Sequence, residues 1–343
     1  MKHSLVVVGV AATARASRRE VLRWAASAGI LSTANLLPPV ALAQAGYPNR
    51  VVKIIVPFPP GQAADIFARL LAERLTDLWK QPVIVENRAG GGGVPGIMAG
   101  KTAAPDGYTL TMGTSGTLGI NPGIYASLPY KPLEDFAPIS NVFIAPLVAV
   151  AHPDAPFKTL AELIAAAKKE PGKINFASAG PGTAQHLSAE LFKSQAGIDL
   201  VHVPYKGSGP AMTDLLGGQV MLMFDSVTAA LGNIKGGKLR ALAVTTAQRV
   251  PQLPEVPPIA DTVPGFDAAG WSGILAPIST PREIVEKVSA DIQRLLREPA
   301  LRDKIIERGS IPDPGTPQAY GAFIQREIEK WARVAKAANV KLD

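Results

Sequence analysis

Two short turns carry the residue types that could hold an anion. Pro57-Phe58-Pro59-Pro60-Gly61-Gln62-Ala63-Ala64-Asp65 follows an apolar, β-branched run at 51–56 and precedes Ile66, Leu70, Leu71, Leu75 and Leu78 at helical spacing. A strand that ends in such a turn and feeds a helix gathers several free backbone N–H groups at one point. The helix dipole adds partial positive charge there, so the turn suits a carboxylate or a phosphate. Ser178-Ala179-Gly180-Pro181-Gly182-Thr183 repeats the arrangement between a strand at 174–177 and a helix at 183–196, with His186 in its first turn. The plainer reading of either turn alone is an ordinary strand-turn-helix unit. Two alike, one in each αβ series, suggest two lobes facing one cleft.

Other chemistries find less support. Gly96-Ile97-Met98-Ala99-Gly100-Lys101-Thr102 invites comparison with a nucleotide-binding P-loop, but the position that needs the first Gly is Pro95. The Gly-Lys-Thr also falls late in its helix rather than at the start. A serine hydrolase needs an activated Ser with a His and an acid. Ser115, in Gly113-Thr114-Ser115-Gly116-Thr117, is a near miss for the nucleophile elbow. His152 begins a turn, His202 alternates with Val201 and Val203 and reads as structural, and His186 could reach ligand or cap its helix. No two of these three histidines have metal-ligand spacing and there is no Cys, so neither a metal site nor a cofactor is expected. Asp65 and Asp225 lie after strands or at helix starts, where the dipole favours carboxylates. Phe58, Tyr205 and Trp271 could line an apolar part of a cleft or pack in the core.

A pattern of charge and apolar residues near the N-terminus sets the expected compartment. Ser17-Arg18-Arg19-Glu20-Val21-Leu22-Arg23 resembles a twin-arginine export signal, an apolar stretch follows at 24–43, and Ala41-Leu42-Ala43-Gln44-Ala45 suits cleavage after Ala43 or Ala45. A membrane anchor is the competing reading, against which Pro38-Pro39 and the small residues argue. Residues 1–43 carry Lys2, Arg15, Arg18, Arg19 and Arg23 against Glu20, which leaves +3 of the chain's +7 for an exported form. That balance gives no reason to expect nucleic acid as a partner. The expected location is the periplasm.

The elements that position the turns read as alternating strands and helices, the pattern of βαβ units. Strands are expected at 51–56, 82–86, 108–112, 174–177, 200–203, 219–224, 239–244 and 271–276, with an apolar run at 142–150 that crosses between lobes. Residues 119–141 and 249–268 read as loop-rich. Helices are expected at 94–103, 160–169, 183–196, 210–216, 281–296, 299–308 and 316–338. Thr159 is placed to cap its helix, with Glu162 at the third position.

Taken together and in order, these motifs resemble the periplasmic solute-binding receptors of tripartite tricarboxylate transporters, the Bug receptors. The resemblance rests on Tyr47-Pro48, Val56-Pro57-Phe58-Pro59-Pro60-Gly61 with Asp65, Glu86-Asn87-Arg88 and Asp106-Gly107-Tyr108. It continues through Gly182-Thr183 with His186-Leu187, Val203-Pro204-Tyr205-Lys206-Gly207, Pro210-Ala211, Asp214-Leu215-Leu216, Gly218-Gln219 and Met223-Phe224-Asp225. It implies a type II periplasmic-binding α/β fold with a ligand cleft, lobe 1 at 46–146 plus 269–343 and lobe 2 at 147–268. It implies no enzyme, a small mono- or dicarboxylate ligand (aromatic acids included), a membrane permease as partner and a monomeric receptor. A ligand-sensing subunit for a membrane signalling protein and a serine hydrolase are the alternatives. The expected binding set is Phe58, Pro60, Gly61, Gln62, Ala63, Ala64 and Asp65 in the first turn and Thr114 and Ser115 after the third strand. Ser178, Ala179, Gly180, Gly182, Thr183 and His186 in the second turn, with Tyr205 and Asp225, complete it. Gln62 stands where many relatives carry a second Gly, which makes it a residue of individual selectivity.

Overall fold

Two sets of parallel strands are joined by two long antiparallel ones in the computed structural model, which describes residues 46–342. The export signal and its cleavage sites lie outside the described residues. The first set is β1 (Val52–Val56), β2 (Val83–Asn87) and β3 (Thr109–Thr114), connected through α1 (Ala63–Trp79) and α2 (Val94–Lys101). A π-helix (Ser115–Ile120), α3 (Asn121–Ile124) and α4 (Pro132–Asp135) lead into the 16-residue β4 (Phe136–Ala151). After α5 (Leu160–Lys169), the second set is β5 (Asn175–Ser178), β6 (Val201–Pro204) and β7 (Leu222–Ser226). These alternate with α6 (Ala184–Ala196), α7 (Ser208–Leu216) and α8 (Val227–Lys235). Next come β8 (Arg240–Val244), β9 (Ala269–Pro277), α9 (Arg282–Arg297), α10 (Pro299–Glu307), β10 (Ile311–Pro312) and α11 (Pro317–Ala337). Pro48–Asp343 forms one compact unit, and of Met1–Tyr47 only Gly46 and Tyr47 are described.

The pairing registers place the two sets face to face. The strand order is β2-β1-β3-β9-β4-β7-β5-β6. β9 is antiparallel to both β3 and β4, so β1, β2 and β3 run in the same sense as β4. β9 pairs with β4 from Phe136 to Pro146, and β7 pairs antiparallel with β4 from Leu147 to Ala151. The first set therefore points toward the half of β4 that holds the second set, and the second set points back. The carboxyl ends of both sets, where open α/β sheets bind ligands, meet over the middle of β4.

Burial follows the two-residue period of strands. On the second half of β4, Val148 and Val150 join one apolar cluster with Ala177 and Met223, while Ala149 and Ala151 join another with Phe176 and Phe224. β4 starts six residues earlier than the apolar run at 142–150 indicates. Two register shifts, at Pro138/Ser140 and Asn141/Phe143, place buried polar Ser140 and Asn141 inside the strand and break the alternation on which a sequence reading depends. Trp271, a cleft candidate, is core: it is 2% exposed, and its Nε1 donates to Glu327 Oε2 at 2.8 Å.

α11 packs into two cores at once. Tyr320 and Ile324 sit with Leu118, Phe136 and Trp271, and two to three turns later Trp331, Val334 and Ala335 sit with Phe176, Leu187 and Phe192. Between these groups the buried Glu327 carboxylate also accepts from Trp331 Nε1 at 2.9 Å and pairs with Lys330. Replacing Glu327 by Ala leaves two buried indole N–H groups without an acceptor, a loss of about 3 kcal/mol. Glu327→Gln, which keeps an acceptor oxygen, falls between that variant and the parent. Urea unfolding measures the series, and a loss below about 1 kcal/mol in Glu327→Ala would show that the tryptophans do not depend on this carboxylate.

Candidate functional site

The loop after β1 is held from inside by a carboxylate. Gly61 adopts φ +90, a left-handed conformation that an L side chain strains to reach. Its N–H donates to Asp65 Oδ2 at 2.9 Å, one turn into α1. Asp65 is 3% exposed, and its other bonds also stay within the protein: Arg69 Nη2 lies 2.9 Å from Oδ1 and Asn87 Nδ2 donates to Oδ1 at 2.8 Å. Asn87 Nδ2 also donates to the Phe58 carbonyl at 3.0 Å. Burial raises the Asp65 pKa, but the Arg69 guanidinium, the Gly61 N–H and the Asn87 amide outweigh it and hold the carboxyl below its usual range. Asp65 thus organises the loop. Its helix starts at Gln62 with no side-chain cap, so the N–H groups of its first turn lack intrahelical acceptors. Pro60, Gly61 and Gln62 are exposed, Phe58 and Ala63 half-buried and Ala64 buried.

The loop after β5 repeats this architecture with a neutral group. Gly182, at φ +73, donates its N–H to His186 Nδ1 at 3.2 Å, again four residues on and one turn into the helix. Nδ1 must then be unprotonated, so the imidazole is the Nε2–H tautomer. A Cβ on Gly182 would lie 2.6 Å from Ile124 Cδ1, so the loop is pressed against α3. Thr183 caps α6 by accepting from the His186 N–H at 3.3 Å, and its hydroxyl donates to the Gly180 carbonyl at 2.7 Å. Ser178 Oγ lies 2.6 Å from His202 Nε2 and accepts from the Gly180 N–H at 3.1 Å. His202 stacks on His186 with centroids 3.9 Å apart and on Phe176 at 5.0 Å. Burial, His202 and Lys193 hold the His186 pKa down at about 3, and burial with Lys193 holds that of His202 at about 4.

The remaining candidates fall into two places. Tyr205 is zipped to the second loop by its N–H, which donates to the Ser178 carbonyl at 3.2 Å, while its hydroxyl donates to Asp214 at 2.8 Å. Asp225, at the end of β7, has no exposed surface and accepts from Ser208, from the Ser226 N–H at 2.8 Å and from Gln185. Burial pushes its carboxyl above the usual range. Thr114 and Ser115 are buried at the end of β3, where Thr114 and Thr117 form a reciprocal cap on the π-helix. Gly93 links that helix to the first loop: a Cβ there would touch Thr117, Phe58 and Pro57. No hydrogen bond among the described residues joins the first loop to the second. Two surface cavities, of about 470 and 330 Å³, are lined by other residues, α6 with α11 around one and α4 with Tyr125 and Ile328 around the other. Gly100 and Lys101 end α2, where Lys101 pairs with Asp135 at 3.0 Å rather than facing a phosphate.

The expected binding set did not include Arg69, Asn87, His202, Gln185 or Ser208. Arg69 was legible as the i+4 partner of Asp65. The other four act across strands or between loops, which spacing does not reveal. Among the described residues no group of three His, Cys, Asp or Glu is placed to hold a metal, and no helix is long and apolar enough to cross a membrane.

The histidine stack makes stability depend on pH. As pH falls below about 6.5, the unfolded chain takes up protons on these imidazoles while the folded protein resists until about 3 for His186 and about 4 for His202. Their contribution is complete above pH 6.5 and falls with pH through that window, by at most about 1.4 kcal/mol per unit per histidine. Urea unfolding between pH 7 and 5 should show a slope that His186→Asn reduces. An identical slope in the variant contradicts this account.

The family model described as tripartite tricarboxylate transporter family receptor (TctC) matches residues 67–340. BugT of Bordetella pertussis is 40% identical over 314 residues, covering 91% of this chain and 96% of BugT. Among solved structures, Rpa4515 of R. palustris with adipate superposes with a TM-score of 0.77 at 35% identity, covering 86% of this chain and 99% of that one. MatC (Rpa3494) from Rhodopseudomonas palustris with bound malate gives 0.72 at 32% identity, covering 84% and 99%. With its two sets of strands meeting at their carboxyl ends and a family match that spans most of its length, the chain belongs to the receptor family of the tripartite tricarboxylate transporters.

Proposed function

We propose that this protein is a periplasmic receptor that captures a small dicarboxylate and presents it to the membrane permease of a tripartite tricarboxylate transporter, without turning it over. The observation that carries this reading is the mirrored pair of loops. In each, one glycine N–H is tied back to the fourth residue on, Asp65 or His186, at the N-terminus of a helix. Free N–H groups at the start of α1 face a carboxylate with partial positive charge. Adipate in Rpa4515 and malate in MatC are ligands of the same chemical class. The binding set is the residues of the loops at 58–65 and 178–183 with Thr114 and Ser115, within two lobes at 46–146 plus 269–343 and at 147–268. Gln62 is exposed at the head of α1 and makes no capping bond with its side chain, which suits it to tune selectivity for whatever the loop holds. A ligand touching both loops favours the closed arrangement of the lobes by its differential affinity for it. The twin-arginine-like segment and Ala41-Leu42-Ala43 support export and cleavage before the first strand.

A thermal-shift panel of organic acids, including adipate and malate, tests the reading on the exported form. A bound acid at about 100 times its Kd stabilises by about 2.7 kcal/mol, and the intact mass should correspond to cleavage after Ala43 or Ala45. An unshifted melt across the panel, together with measurable ester hydrolysis, would falsify it.

A further inference from the structure

Asp225 is a buried carboxylate to which no basic side chain among the described residues is bound. Its Oδ2 accepts from the Ser208 hydroxyl, and its Oδ1 accepts from the Ser226 N–H at 2.8 Å and from Gln185 Nε2 at 3.5 Å, the long limit of such a bond. Both of its oxygens accept, so the carboxyl dictates how its two side-chain partners are turned. Ser208 has one hydroxyl proton and commits it to Asp225, leaving lone pairs alone for anything else. Gln185 must aim its NH₂ at Asp225, which turns its Oε1 away. Among the described residues that oxygen accepts no hydrogen bond, and it is not one of the fully buried unpartnered atoms.

Both side chains are half-buried and lie beside the second loop. Gln185 is in the first turn of α6, two residues after Thr183. Ser208 opens α7 directly after Gly207, whose N–H donates to the Ala179 carbonyl at 3.1 Å. The N–H groups that suit a carboxylate therefore neighbour two acceptors of fixed orientation, and acceptors are satisfied by a hydrogen-bond donor, not by methylene. We propose that Ser208 and Gln185, oriented by Asp225, form a subsite that selects dicarboxylates carrying a donor, a hydroxyl or an ammonium, on the carbon next to a carboxylate. The selection rests on the receptor reading and narrows its ligand class. Asp225 acts as a positioning residue, because it has no surface with which to touch the ligand. An unsubstituted chain would desolvate both acceptors and return nothing to them.

Isothermal titration of the exported form with malate, aspartate and succinate separates the arms, since the three acids share a four-carbon skeleton. At least one of malate and aspartate should bind about tenfold or more tightly than succinate, because a site built to bond a donor rejects the analogue that lacks it. Whichever of the two is tighter identifies the donor as hydroxyl or ammonium. Ser208→Ala and Gln185→Leu should each lower that ratio, and Asp225→Asn should lower it while thermal melting still reports a folded protein. Equal affinity for all three acids in the parent, a preference for succinate, or an unchanged ratio in both Ser208→Ala and Gln185→Leu overturns the subsite and leaves the receptor reading standing. Failure of every dicarboxylate to bind removes both.

Discussion

At each loop, one glycine N–H is tied back by an acceptor on the helix that follows. A helix N-terminus has several unsatisfied donors, and a flexible glycine turn could present them in many directions. Tying Gly61 to Asp65 and Gly182 to His186 fixes each turn against its own helix. The rest of the structure serves these two tethers. Asn87 and Arg69 hold Asp65 from a neighbouring strand and the next helical turn, and the stack of Phe176, His202 and His186 holds the second acceptor.

The two tethers differ in charge, which has an electrostatic consequence. Asp65 brings a negative charge to the first loop, offset by the Arg69 guanidinium. His186 brings none, because burial keeps it neutral and its Nδ1 is an acceptor only in that state. A neutral acceptor does not oppose an anion arriving at the second loop. Of the acids in that half, Asp225 is shielded by burial and three donors. The first half tolerates an anionic tether because a cation is bonded to it.

Much of the local architecture was legible. The β1-turn-α1 unit follows from β-branched residues, a Pro/Gly turn and helical spacing, and Thr159 caps α5 as its position indicates, accepting from the Glu162 N–H at 3.2 Å. The reciprocal bond deviates by one residue: Glu162 reaches the Lys158 N–H at 2.6 Å, not that of Thr159. The repeat of glycine and acceptor at i and i+4 was present in both turns, yet one acceptor is Asp and the other His, so residue type concealed a shared role. Trp271 could not be assigned from pattern, since its burial depends on Glu327, which lies 56 residues later. The bulged start of β4 was obscured because polar Ser140 and Asn141 are bonded inside the sheet: Ser140 donates to the Asn141 carbonyl, and Asn141 donates to Asp313. Long-range partners of this kind leave no periodic trace.

α11 gives the chain an order of completion. The cluster around Phe176, Leu187 and Phe192 contains Trp331, Val334 and Ala335 from the last helix. During synthesis those three side chains emerge more than a hundred residues after the strands and helices they finish, so an apolar face on α6 and its neighbours stays uncovered until translation is nearly over. A nascent chain interrupted before α11 exposes the kind of surface that chaperones hold and proteases reach. The final helix therefore acts as a seal on the product, and a chain that lacks it is chemically marked as unfinished.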